Sequence, residues 1–99
     1  PPPPPAPPPP ATPTGLGPTA DSDTQITVTW TDNSAVETEY RLEWRESGGT
    51  FAPISLGADV ESHPHTGRTA STTYEYRVQA CLDTVCSPYS AIASATTAP

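Results

Sequence analysis

Ninety-nine residues with eleven acidic and four basic side chains, a net charge of −7, leave room for at most one small domain. That negative field repels phosphate backbones and anionic membrane surfaces, and no apolar run approaches a membrane span, so neither nucleic acid nor membrane insertion is expected. The folding part runs from about Gly15 to Thr97 and buries about 60–65% of its unfolded surface, which leaves no space for both a full core and a deep catalytic cavity.

Residues 1–14, PPPPPAPPPPATPT, read as a linker, with nine prolines in the first ten positions. Proline fixes φ near −65° and donates no hydrogen bond, so such a run adopts polyproline II and cannot join a sheet. Ten residues of it span about 31 Å, as a semi-rigid spacer. Thr12 and Thr14, beside prolines, are candidate O-glycan acceptors, on equal footing with an unmodified spacer. Lacking an initiator Met and a signal peptide, the chain reads as a mature or excised piece of something longer.

After the linker, short β-type runs alternate with turn signals every eight to twelve residues, the pattern of an all-β sandwich or barrel. Leu16–Ala20 is a first edge strand, since Pro18 is tolerable only at an edge. Gln25–Trp30 alternates cleanly, with Ile26, Val28 and Trp30 inward, and Asp32-Asn33-Ser34 turns the chain. Tyr40–Arg45 alternates again, with Tyr40, Leu42 and Trp44 inward, until Gly48-Gly49 breaks it. Phe51–Leu56 is a short strand interrupted by Pro53, and Asp59–Thr66, carrying Pro64, belongs at a sheet edge. Thr73–Cys81 places Tyr74, Tyr76, Val78 and Ala80 on one face and Glu75, Arg77 and Gln79 on the other. Tyr89–Thr96 completes seven expected strands, with no helical period anywhere.

The two cysteines, Cys81 and Cys86, stand close together with no His or Cys at zinc-ligand spacing, so a disulfide is the better reading than a metal site. A hairpin would bring their β-carbons together, and the pair lacks the Cys-x-x-Cys spacing at a helix start that makes cysteines redox-active. Disulfide use also points to an extracellular or cell-surface setting.

Three stretches together resemble a fibronectin type III domain over roughly residues 14–97. Ile26–Ser34 looks like the second strand of that family with its core tryptophan, Trp30. Glu39–Arg45 looks like the third, and Thr73-Tyr74 followed by Tyr76–Ala80 like the sixth. The wording is closest to versions in secreted bacterial proteins. The resemblance implies a seven-stranded antiparallel immunoglobulin-like sandwich, with Trp30, Tyr40, Trp44 and Tyr74 as structural core. It also puts Tyr74 at the tyrosine corner, where a buried ring holds the preceding turn through its hydroxyl. Two features depart from the family. Arg68 follows Gly67 where a buried Leu is usual, and His63 and His65 hold positions in the fifth strand that are ordinarily apolar. The Arg-Gly-Asp loop of adhesive members is absent, Leu82-Asp83-Thr84-Val85 standing there instead.

Candidate chemistry has plainer readings throughout. His63, His65, Asp59 and Glu61 share strand parity and could ligate a transition metal, but Pro64 interrupts the alternation, and edge histidines explain them better. Asp21, Asp23, Asp32, Asp59 and Asp83 suggest calcium, yet none lies in a D-x-D-x-D-G loop, and a solvated acidic surface is the simpler account. The Trp and Tyr residues face inward and are consumed as core, leaving only Phe51 and Tyr89 free to stack on sugars. No nucleophile elbow, paired carboxylates or phosphate loop is present, so no enzyme, metal or cofactor is expected. The resemblance implies a non-catalytic spacer or accessory module of an extracellular multi-modular protein, such as a secreted polysaccharide- or protein-degrading enzyme. The alternatives are a subunit of a surface stalk, sheath or filament, and a weak carbohydrate-binding domain. Its partners would be neighbouring domains of the same polypeptide, copies of itself, or glycan.

Overall fold

A computed structural model describes residues 8–99; the part of the polyproline expectation that falls on residues 1–7 lies outside the described residues. Eight strands form: β1 (Thr14–Ala20), β2 (Ile26–Thr31), β3 (Glu39–Glu46), β4 (Ala52–Gly57), β5 (Ser62–His65), β6 (Thr73–Leu82), β7 (Val85–Cys86) and β8 (Ala93–Thr96). They pair antiparallel in two sheets, one ordered β1-β2-β5 and the other β4-β3-β6, with both β7 and β8 pairing to the far side of β6. Among the described residues there is no helix, and the fold is an all-β, immunoglobulin-like antiparallel sandwich, as the resemblance implies.

The inward faces follow from the two-residue period. Ile26, Val28 and Trp30 of β2 meet Tyr40 and Leu42 of β3 and Tyr74, Tyr76, Val78 and Ala80 of β6 in one buried cluster. Trp44 is only half-buried and packs on the edge of that cluster. Burying side chains of this size contributes about 1.5–3 kcal/mol each, an upper estimate, since the unfolded chain already hides part of the same surface.

Every proline within the sheets stands on an edge strand: Pro18 on β1, Pro53 on β4 and Pro64 on β5. Proline offers no N–H to a ladder, so it is tolerated there and blunts the edge against pairing with another chain. Gly48, at φ 83°, makes the tight turn between β3 and β4, a backbone conformation that costs a residue with a Cβ.

The final strand departs from expectation. Instead of one run over Tyr89–Thr96, the chain pairs with β6 twice, at β7 and again at β8, and loops outward between them through Pro88. Two donors of β6 would lose their partners at that interruption. Ser87 Oγ accepts from the Ala80 N–H at 3.0 Å and Ser90 Oγ from the Val78 N–H at 3.1 Å, replacing the missing ladder. The loop also covers Gln79. Strand parity assigns that side chain to the solvent face, yet it is 7% exposed and donates to the Ser87 carbonyl at 2.9 Å.

Strand register defines two poles. Thr14 pairs with Thr31, and Glu39 pairs with both Gly57 and Cys81. The chain therefore enters at the pole that carries the β2–β3 loop, the β4–β5 loop and the β6–β7 turn. Thr73 pairs with Thr96, and the Ala98 N–H donates to the Ser22 carbonyl at 3.3 Å, so the chain leaves at the opposite pole.

Candidate functional site

Each sequence-derived candidate has a definite place in this frame. Cys81 and Cys86 are directly opposite in the β6–β7 hairpin, 4.0 Å apart at Cα, and are bonded. Asp83 turns the hairpin at φ 53°, and its N–H donates to Thr38 Oγ1 at 2.9 Å. Tyr74 is buried, and its hydroxyl accepts from the Thr69 N–H at 2.9 Å, closing the corner before β6.

The two departures from the family pattern meet beside that corner. His65 is 6% exposed and packs edge-on against Trp44, Tyr74 and Tyr76, with its Nδ1 2.8 Å from the Tyr76 hydroxyl. The Arg68 guanidinium lies over the Trp44 ring at 4.4 Å and near the Tyr74 ring at 5.7 Å, while its Nε donates to the Thr66 carbonyl at 3.1 Å. A cation stacked on aromatic faces thus covers a place where the family usually buries a Leu. Burial, then the Arg68 charge, then His63 push the His65 imidazole down to about 4, so it is neutral at pH 7. His63 is also shifted down by burial. His63 lies beside His65 in this aromatic packing, ring centroids 6.3 Å apart.

Phe51 and Tyr89, expected to be free for sugar stacking, are instead half-buried under arginines. Arg77 stands 4.1 Å from the Phe51 centroid and 4.1 Å from that of Tyr89, and Arg45 stands 4.3 Å from Phe51. Both arginines are held from across the ladder, Arg45 by Glu75 at 2.8 Å and Arg77 by Glu43 at 2.6 Å. The rings and cations satisfy one another, leaving no flat aromatic stripe on this face.

Residues 10–14 are docked on the sandwich. Pro10 and Pro13 are buried, and Asn33 Nδ2 donates to the Thr12 carbonyl at 3.0 Å and to Thr14 Oγ1 at 2.9 Å. Of the two candidate glycan acceptors, Thr14 therefore has its hydroxyl oxygen engaged.

The same pole gathers acidic side chains that strand parity does not bring together. Asp32 and Glu37 lie on the β2–β3 loop and Asp59 on the β4–β5 loop, with a carboxylate oxygen of each within 4.8 Å of the others. Chain spacing gives no hint of this, because 22 residues separate Glu37 from Asp59. The signal that could have found it is Glu37 itself, an acidic residue just before an inward-facing strand. Asp21 lies at the opposite pole, held first by Thr27 and then by Gln25, whose hydrogen bonds lower its pKa.

Comparison with known proteins agrees with the architecture. The Fibronectin type III domain family matches residues 11–96, and the chain belongs to that family. Among solved structures, it is similar to the sixth fibronectin type III domain of human fibronectin type III domain containing protein 3. That likeness has 31% identity over 91% of this chain and 87% of the other, with a TM-score of 0.77. The FN1–FN3 domains of chicken CNTN1 share 17% identity at a TM-score of 0.83, covering 92% of this chain, which spans 33% of that one. The fn3 domain of human contactin 1 shares 21% identity at a TM-score of 0.78, covering 88% of this chain and 77% of that one. Comparison with curated proteins finds no match. Domains of this family are common non-catalytic modules of multidomain proteins. Among the described residues no helix is long and apolar enough to cross a membrane.

Proposed function

We propose that this chain is a non-catalytic spacer or accessory module in an extracellular multi-modular protein. The observation that supports it most is the opposition of the termini. The linker enters at the pole of the β2–β3 loop, and the C-terminal residues leave beside Ser22 at the other. A module threaded end to end holds its neighbours apart by its own length. The docked Pro10 and Pro13 support the same reading, because a linker seated on its domain transmits orientation as well as distance. The disulfide favours an oxidising compartment.

Co-sedimentation of the full chain with insoluble polysaccharides, combined with size-exclusion chromatography, tests this function. A monomer that stays in the supernatant is the expected result. Retention on polysaccharide would replace the spacer reading with carbohydrate binding, and reversible growth into filaments would replace it with a structural subunit. The prolines on β1, β4 and β5 disfavour edge-to-edge growth.

A further inference from the structure

Three buried side-chain polar atoms lack a hydrogen-bond partner among the described residues: Trp30 Nε1, Glu37 Oε2 and the Tyr40 hydroxyl. All fall between Trp30 and Tyr40 in the chain, at the acidic pole. Unpaired buried polar groups are costly, and a folded domain ordinarily retains few of them. Glu37 is the most telling. It is 7% exposed, its Oε1 accepts from the Asp59 N–H at 3.2 Å, and its Oε2 has no donor. Tyr40 is 0% exposed and is a separate observation. Its hydroxyl faces the Asp32 carboxylate, with Glu37 and Glu61 close by.

The remaining bonds leave oxygens free. Asp32 Oδ1 accepts from the Ser34 N–H at 2.9 Å, and Glu61 Oε2 from the Asp32 N–H at 2.8 Å, which ties the two loops together. No basic side chain compensates the cluster. The protein has four Lys and Arg residues in all, and they are Arg41, Arg45, Arg68 and Arg77. Arg41 pairs with Glu39, Arg45 and Arg77 with Glu75 and Glu43, and Arg68 covers Trp44.

We infer that Asp32, Glu37 and Asp59 form a calcium site, with the Tyr40 hydroxyl facing it from the core. The ligands are hard oxygens alone, without His or Cys, which suits calcium over zinc or copper. Three carboxylates on two loops leave several coordination positions to water, which calcium's flexible shell of six to eight oxygens accepts. Such a site fits the weak range of extracellular modules, about 10⁻⁴ to 10⁻³ M. A bound ion would also steady the β2–β3 loop, whose Asn33 holds the linker.

The test is thermal melting of the full chain in EDTA and in calcium at matched ionic strength, with terbium luminescence as a direct readout. Tyr40, with Trp30 5.8 Å from it, would sensitise a bound lanthanide. About 10 mM calcium should raise the Tm by roughly 6–11 °C, as expected for a ligand near tenfold its Kd on a domain of this size. Asp59→Asn, at an exposed position whose positive φ Asn tolerates, should abolish both the shift and the luminescence. It should also raise the Tm in EDTA by relieving repulsion. Asp21→Asn, at the other pole, should retain both responses. An unchanged wild-type Tm without luminescence would overturn the site, as would an equal response in Asp59→Asn or in sodium alone.

Discussion

Tyr74 shows what a single hydroxyl does in this fold. It accepts the Thr69 N–H, a backbone donor that the sharp corner before β6 would otherwise strand. Tyr74→Phe keeps the ring and removes the acceptor, so it should cost about 1–2 kcal/mol in chemical denaturation. A neutral result would mean that the corner finds another acceptor. His65 is the second residue whose chemistry is set by its surroundings. Its folded pKa of about 4 lies below the ordinary histidine value of 6.5, so the unfolded chain binds the proton more tightly than the native one. Stability is therefore full above about pH 6.5 and falls as pH drops toward 4, by up to about 3 kcal/mol. Melts between pH 7 and 4 should show this loss, and His65→Phe should remove most of the slope. The Arg68 charge contributes to the depression, so Arg68→Leu should move the His65 titration upward in an NMR pH series.

At the scale of elements, β6 organises the molecule. It pairs with β3 along its length and with β7 and β8 on its other side. Its alternation over Tyr74–Ala80 is legible in the sequence because packing on one face leaves polar residues on the other. The alternation stops being a guide at Gln79, because the Ser87–Ile92 loop folds over the outer face and supplies a carbonyl for the amide. The hairpin disulfide closes a loop with a sequence separation of 5, which constrains the unfolded chain by about 2 kcal/mol. Reduction should lower the Tm while leaving the domain folded at room temperature, since the core of β2, β3 and β6 does not depend on that hairpin. Labelling of free thiols in the untreated native protein would contradict the bond.

At the scale of the whole molecule, residues 10–14 are seated at one pole of the sandwich and the C-terminal residues lie at the other. Pro10 and Pro13 are buried, so removing residues 1–13 should lower the Tm relative to removing residues 1–9. Equal melting of the two truncations would make the docking energetically idle and weaken the case for an oriented spacer. The strand faces, most of the core aromatics and the class of fold are legible along the chain, because local periodicity decides which side chains are hidden together. The edges are marked there too, since a proline without an N–H cannot sit inside a ladder. What fills the fifth strand emerges from packing between strands, where His65 is neutral beside Trp44 and Arg68 stacks on the same ring. The same holds for Phe51 and Tyr89, which read as free rings until Arg45 and Arg77 from the neighbouring strands close over them. The acidic pole is the clearest case. Asp32, Glu37 and Asp59 belong to two loops that meet only when β3 pairs with β4, and no spacing along a chain encodes a contact made across strands.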